Sequence, residues 1–509
     1  MHMGKKLSGW FALGAFAMIG GMVATDPAFA KIDVDKLTIG GEARIRYEYR
    51  IGTTFGGSLG AASAKGNESA ASHRVRINVG YDLTPDVSFF AQIQDARVWG
   101  CEGAVSCNSL GSGIGTVSAS GIFQGAGVDL HQGYILVKNI LTPGLSAKIG
   151  RQEIIFGDHR LLGNFGWSQV GNSFDAVRLT HSTAFADLDL FWARIVEFGE
   201  NGISNSTGVI FPGAGSNGST DQDLYGAYLT LKPVANWTIE PYYFLLKDSR
   251  PVVAQAGGVG AFQSVPQAPD QARNVLGGRI NGKAGGLDAT AEAVWEFGGM
   301  ASGTPNTVGQ IGVHDMHINA HAEAVKAGYT FEPVPMKPRI GLEFDYASGD
   351  GCNHNGPGGA NNCAAAGHYN TFDNLYPTNH FHYGYMDLMA WKNMVNYAAV
   401  FDVKPDPVSK VQVNFIIHRL ANRHDNWYRA GQVIYGSTGG NNTTSSIGQE
   451  LDLHYFRTFK EKFKFEVGYG HFFTGEYINK AAQNGNTVLG VTPGKADQNW
   501  GYVMGSVLF

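Results

Sequence analysis

The feature that most restricts this chain is the alternation of short and long connections between strands of two-residue periodicity. From residue 38 onward one unit repeats: a strand, a short turn with Pro, Asn or Gly, a second strand, and a long Gly-rich loop. The short turns are DLTPD (82–86), LTPGL (141–145), KPVAN (232–236), KAGG (283–286), EPVPMKP (332–338), KPDPVS (404–409) and FKEK (459–462), with 181–185 as the eighth. Long loops lie near 52–68, 100–128, 156–172, 198–221, 248–272, 298–317, 348–390, 420–446 and 474–497. Between them the pattern predicts about 18 strands, at 38–51, 69–82, 86–99, 129–141, 145–155, 173–182, 185–197, 222–232, 236–247, 273–283, 286–297, 318–331, 337–347, 391–403, 409–419, 447–459, 462–473 and 498–509. An even count with both termini on the short-turn side describes one antiparallel sheet, and closing it removes its edges. Short periplasmic turns opposite long extracellular loops are the asymmetry of a transmembrane β-barrel. The fold expected is therefore all-β, a single closed antiparallel barrel.

The strands carry the matching pattern. In Gly41–Arg50, residues Glu42, Arg44, Arg46, Glu48 and Arg50 fall on one face, and Ala43, Ile45, Tyr47 and Tyr49 on the other. His73–Tyr81 repeats it with Arg74, Arg76 and Asn78 against Val75, Ile77, Val79 and Tyr81. Arg339–Tyr346 and Lys410–His418 do the same. A soluble sheet also alternates, so no single strand decides. So many strands cannot share one soluble core without helices or a second sheet, and no convincing helix is present.

Composition agrees with a barrel. Glycine supplies 70 of 509 residues, aromatics 12% and charged residues only 16%, with a net charge of −5, and no nucleic-acid partner is expected. No stretch after residue 30 approaches the length of a membrane helix. Before it, Lys5 and Lys6 precede an apolar run from Leu7 to Val23, and Ala28-Phe29-Ala30 supplies a cleavage motif. Residues 1–30 read as a secretory signal peptide, leaving 31–509 as the barrel. Trp500–Phe509 alternates to a terminal Phe509, a final strand resembling the signal read by outer-membrane assembly machinery. Tyr49, Tyr81, Trp192, Trp237, Trp295 and Trp500 sit near strand ends, where interfacial girdles form. An exported chain meets an oxidising compartment, so Cys101–Cys107 and Cys352–Cys363 are expected as two local loop disulfides. Metal binding is the alternative there, since His354, His368, His380 and His382 share the second loop, but no tight ligand spacing supports it.

Catalytic motifs are lacking. Gly56–Gly60 matches G-x-S-x-G and Gly213–Gly218 matches G-x-G-x-x-G, but each lies in a loop with no helix behind it, which both motifs require. No enzyme, cofactor or metal is expected.

The chemistry lies in the lumen. Alternation turns Arg44, Arg46, Arg74, Arg76, Arg178, Arg279, Arg339 and Lys464 inward, with Glu42, Glu48, Asp187, Asp189, Glu240, Asp288, Glu292, Glu343, Asp345, Glu450, Asp452 and Glu466. Outward placement near the midplane costs ~2–4 kcal/mol for each Arg or Lys. Fixed charge in a narrow lumen sets ion selectivity; alternatively, opposite charges pair across it and rigidify it. Basic residues cluster early in the chain and acidic ones late, so one basic and one acidic wall are expected. In GRQ (150–152), Arg151 shares the face of Ile149 and Ala147, and Asp95 and Arg97 share that of Ile93. A bulge, or emergence above the bilayer, would bring these inside, and Arg151 is expected there.

The segments FFAQIQDARVWG (89–100), LHQGYILVK (130–138), IGRQEIIFGDHRLLG (149–163), FDAVRL (174–179) and IGQELDL (447–453) resemble, in order, those of the alginate-export family of outer-membrane porins. The resemblance implies an 18-stranded barrel in outer-membrane lipid with an electropositive constriction that passes an acidic polymer. By motif position that role falls on Arg76 and, more loosely, on the GRQ strand; Arg160, in the GD-x-R loop that follows, is a separate pore-lining candidate. His131 stands where family members often carry Arg, and Glu153 follows GRQ where the alginate exporter has a second Arg. The function implied is a channel for passive diffusion or export of hydrophilic solutes, anionic ones or a polysaccharide included. A structural barrel sheathing a partner such as an electron-transfer protein is the alternative. An outer-membrane hydrolase is least supported, because His131, His181 and His471 lack a Ser partner by spacing.

Overall fold

The computed structural model describes residues 33–57, 67–99, 127–196, 221–249, 271–305, 311–351 and 367–509. The expected signal peptide and the two expected disulfides, Cys101–Cys107 and Cys352–Cys363, lie outside these residues, as do His354, most of the G-x-S-x-G match and all of the G-x-G-x-x-G match. The chain divides into two compact units, Met1–Leu37 and Thr38–Phe509. The described end of the first is a single 3-10 turn, Val34–Lys36, capped by Asp33.

The second unit is the barrel. Its strands are β1 (Leu37–Ile51), β2 (Glu68–Thr84), β3 (Val87–Val98), β4 (Gly127–Val137), β5 (Leu145–Gln152), β6 (Phe174–Ser182), β7 (Ala186–Val196), β8 (Gln222–Val234) and β9 (Trp237–Asp248). They continue with β10 (Gln271–Ala284), β11 (Leu287–Pro305), β12 (Ile311–Thr330), β13 (Arg339–Ala347), β14 (Met394–Asp406), β15 (Ser409–Arg419), β16 (Ser446–Phe459), β17 (Phe463–Thr474) and β18 (Gln498–Leu508). Each strand pairs with its neighbour in sequence, and β1 pairs antiparallel with β18 from Glu42↔Leu508 to Ile51↔Asn499. The sheet is closed. No helix among the described residues is long and apolar enough to cross a membrane; the only α-helices among them are α1 (Glu476–Asn479) and α2 (Ala481–Asn484).

Burial is inverted relative to a soluble protein. On β1, Arg46 is 0% exposed while its neighbours Ile45 and Tyr47 are 52% and 49% exposed. The same holds for Arg74 and Arg76 beside the exposed Ile77, and for the buried Met504 beside the exposed Val503. Apolar side chains face out, where lipid replaces water as solvent, and polar ones face in.

Two strand expectations shift. β11 and β12 run past the expected loop at 298–317, because backbone pairing continues through Gly298–Pro305 although alternation stops there. β4 ends at Val137 rather than 141, where Asn139 and Leu141 take positive φ angles of 54° and 64°.

The parity expectation is corrected at Arg151, and the open case at Asp95 and Arg97 takes the same form. Arg151 lies opposite Asp175 in an unshifted register, on the face of the exposed Leu179, and its Nη1 is 3.0 Å from the Asp175 carboxylate. It therefore stands on the outer face at the loop end of β5, where ion pairing makes charge tolerable. Asp95 and Arg97 also stay on the face of the exposed Ile93, with Asp95 2.8 Å from Arg97 and 3.0 Å from His73.

The core sits inside the barrel. Loop A (153–173), loop B (367–393) and loop C (420–445) bury Ile154, Leu161, Leu162, Trp167, Phe372, Tyr383, Met386, Trp391 and Trp427 against the inner wall. Trp391 and Trp427 are fully buried, each contributing roughly 4–6 kcal/mol by area.

Candidate functional site: a charge-held plug in the lumen

Loop A joins β5 to β6 and crosses the bore to grip strands on two other sides. On β1 and β2, arginines collect its backbone carbonyls. Arg44 donates to Gly166 O (2.7 Å), Trp167 O (3.0 Å), Ser168 O (2.8 Å) and the Gln169 side chain (2.8 Å). Arg46 donates to Trp167 O at 2.7 Å and lies over its ring, 3.9 Å from the centroid. Arg74 donates to Ser168 O (3.0 Å) and is held by Glu42 at 2.7 Å. A guanidinium offers five donors and no acceptor, so a run of carbonyls in a turning loop is a natural partner.

On the far side, Asp158 of loop A is clasped by Arg279 of β10 (2.5 Å) and Lys326 of β12. Burial raises the pKa of Asp158, but Lys326 and Arg279 more than reverse that and hold it well below the usual carboxylate range. Arg160 of loop A inserts between Glu343 and Asp345, two residues apart on β13. It lies 2.9 Å from Asp345 and donates to Tyr383 Oη at 2.6 Å. Burial disfavours its charge, and Asp345, Tyr383 and Glu343 outweigh that, so its pKa stands well above the usual value.

The acidic residues of β16 hold loop B in the complementary way. Glu450 accepts from the Met386 amide (2.9 Å) and Asp452 from the Tyr385 amide (3.3 Å). Arg50 of β1 takes the Met386 carbonyl at 2.7 Å. Arginines thus bind loop carbonyls, and the carboxylates of β16 bind loop amides. The arginines of β1 and β2 and the carboxylates of β16 hold opposite ends of loop peptide units.

The other candidate residues lie closer to the wall. Arg178 pairs with Asp189 (2.7 Å) and sits over Phe156 of loop A. Arg339 of β13 bridges Asp288 of β11 (2.6 Å), across the intervening β12, and Asp402 of the adjacent β14 (3.5 Å). Arg76 reaches Gln94 (2.7 Å), His131 (3.0 Å) and Glu153 (3.4 Å). His131 and Glu153, the two positions that depart from the family pattern, are bonded to each other at 2.9 Å.

Sequence reading missed Trp167's partners and the loop residues that close the plug. His380 of loop B stacks on Trp167 at 4.0 Å and 12°, and its Nδ1–H donates to Asp387 (2.8 Å). The Nε2–H of His382 donates to Asp158 O at 2.7 Å, and burial, Arg160 and Lys326 hold its pKa well below the ordinary value, keeping it neutral. The only available signal was the loop composition: GDHR in loop A and NHFHYGYM in loop B are dense in side chains that need partners. Among the described residues, no group of three His, Cys, Asp or Glu is placed to hold a metal ion.

An 18-stranded barrel with outward apolar strands, inward charge and loops folded into the bore defines an outer-membrane channel-like protein. Solved structures of the same form are Pseudomonas aeruginosa OccK8 (OprE), with 10% identity, TM-score 0.52 and coverage of 93% of this chain and 98% of that one, and Acinetobacter baumannii OccAB1, with 11% identity, TM-score 0.52 and coverage of 96% and 99%. The P. aeruginosa outer membrane protein OprD is similar at 10% identity, TM-score 0.50 and coverage of 96% and 97%. At such identity the likeness is one of fold. No curated protein matches the chain. The family model described as alginate export matches residues 35–491, and the chain belongs to that family.

Proposed function

We propose that this protein is a non-catalytic outer-membrane channel that passes hydrophilic solutes, acidic ones preferentially, around a charge-held plug. The observation that carries the reading is the cluster of Arg44, Arg46, Arg74 and Arg76 on two adjacent lumenal strands, four guanidiniums whose ion pairs involve three carboxylates, Glu48, Glu42 and Glu153, and whose other donors go largely to carbonyls of loop A. Arginine cannot shed its proton, and its fork suits carboxylate or phosphate groups on a passing solute. The later acidic strands temper the effect, so the anion preference is modest. Changing both Arg74 and Arg76 to Ser shifts the reversal potential toward cations in planar bilayers, most at low salt where screening is weakest. An unchanged reversal potential at low salt would assign the arginines to loop anchoring alone. Uptake of gluconate-like monoacids against neutral sugars of equal size, in liposome swelling, tests the solute class.

A further inference from the structure

We propose that loops A and B are one gate: they leave the bore together or not at all. The inference rests on the channel reading for its consequence but on loop geometry for its substance.

Loops A and B are separated in sequence by the whole of β6 to β13, yet they are zipped by main-chain bonds. Gly163 N donates to Tyr376 O (2.9 Å), Tyr376 N to Leu161 O (2.9 Å) and Thr378 N to His159 O (2.8 Å), around a parallel bridge Leu162↔Tyr376. Phe165 N donates to the Thr378 hydroxyl at 2.9 Å. Side chains continue the seam, with Trp167 stacked on His380 and Arg160 bonded to Tyr383.

Withdrawing one loop alone strands these buried amides and carbonyls, each at its full desolvation cost. Withdrawing both leaves the seam intact and breaks the wall contacts, whose arginines and carboxylates then meet water, together with loop B's bonds to loop C, such as Ala390 N to Tyr428 O (3.0 Å) and Ala430 N to Asp387 O (3.1 Å). The wall is organised to match. Arg46 holds loop A, Arg50 holds loop B, and Glu48 lies between them, 2.6 Å from Arg46 and 3.8 Å from Arg50. One strand therefore registers the position of both loops.

Hydrogen exchange read by mass spectrometry on the whole protein in detergent decides the matter. The peptides compared cover 159–165 and 374–383. Arg46→Gln removes a direct bond to loop A and keeps Arg50 on loop B, and we expect it to speed exchange in both peptides by the same factor, about tenfold, the weight of one charge-assisted bond. Glu450→Ala touches loop B only and gives the converse comparison should Arg46→Gln fail to fold, with heat-modifiable gel mobility reporting folding. Acceleration confined to the altered loop, or absent from both, overturns the inference. Concerted exchange in a protein that conducts no ions would instead keep the single gate and remove the transport reading.

Discussion

At the residue scale, the inward charges act first as anchors. Arg160 is the clearest case, because it pairs with two carboxylates of β13 and donates to the Tyr383 hydroxyl. Replacing it leaves Glu343 and Asp345 buried without their cation, which costs about 3 kcal/mol. Arg160→Gln should therefore lower the urea midpoint of the folded gel band and make single-channel current noisier; an unchanged midpoint would mean the pair is solvated and the anchor weak. The sequence pointed to Arg160, Glu343 and Asp345 separately, through a loop motif and strand parity. It could not join them, because their meeting depends on loop A folding inward, and a loop has no periodicity from which direction can be read. Arg151 was misread for a related reason: parity placed it outward, and nothing local indicated that Asp175 would make that placement tolerable.

At the element scale, each loop is seated by a small number of contacts that a single change can break. Gly384 takes a φ of +95°, and a Cβ there would overlap the Glu450 carboxylate that holds Met386. Gly384→Ala should unseat loop B while leaving the strands intact. Limited proteolysis that cuts the variant within 371–390 and spares the native protein is the expected outcome, and equal resistance would contradict the seating. Acid should act on the same contacts. In Glu153 and Asp158 of loop A and Asp373 of loop B, burial raises the pKa, but His131, the Lys326–Arg279 pair and Lys392 respectively lower it further, leaving all three depressed. A carboxyl depressed in the folded state contributes stability that is complete above its unfolded pKa and is lost as pH falls through the folded one. The plug should hold at neutral pH and loosen below pH ~4, seen as larger conductance with the barrel still β by circular dichroism. Conductance flat from pH 7 to 3 would show that the carboxylates do not hold the loops. Strand positions, by contrast, were legible almost throughout, since turn chemistry and two-residue alternation act locally. Where alternation lapsed, at Gly298–Pro305, the expected loop proved to be strand, because main-chain pairing needs no side-chain pattern.

At the scale of the whole molecule, the barrel is a wall turned inside out, with its core in the bore rather than in the sheet. Closure by β1 and β18 leaves no edge, and exposed Ile45, Tyr47, Val503 and Val507 cover the seam on the lipid side. Purified protein should show a β-type far-UV spectrum and heat-modifiable mobility, and a helical spectrum would end the account. Strand count and family were accessible from the sequence, because regular turns repeat the same signal eight times. The plug was not, because it is made by three connections far apart in the chain whose only common property is where they fold. The account's central claim is that loop A obstructs a conducting bore. Single-channel recording of a variant in which 164–171 are replaced by a short Gly-Ser link tests it most directly. The account predicts conductance several-fold above that of the native channel, with heat-modifiable mobility retained; a folded variant conducting no better than the native protein would contradict it.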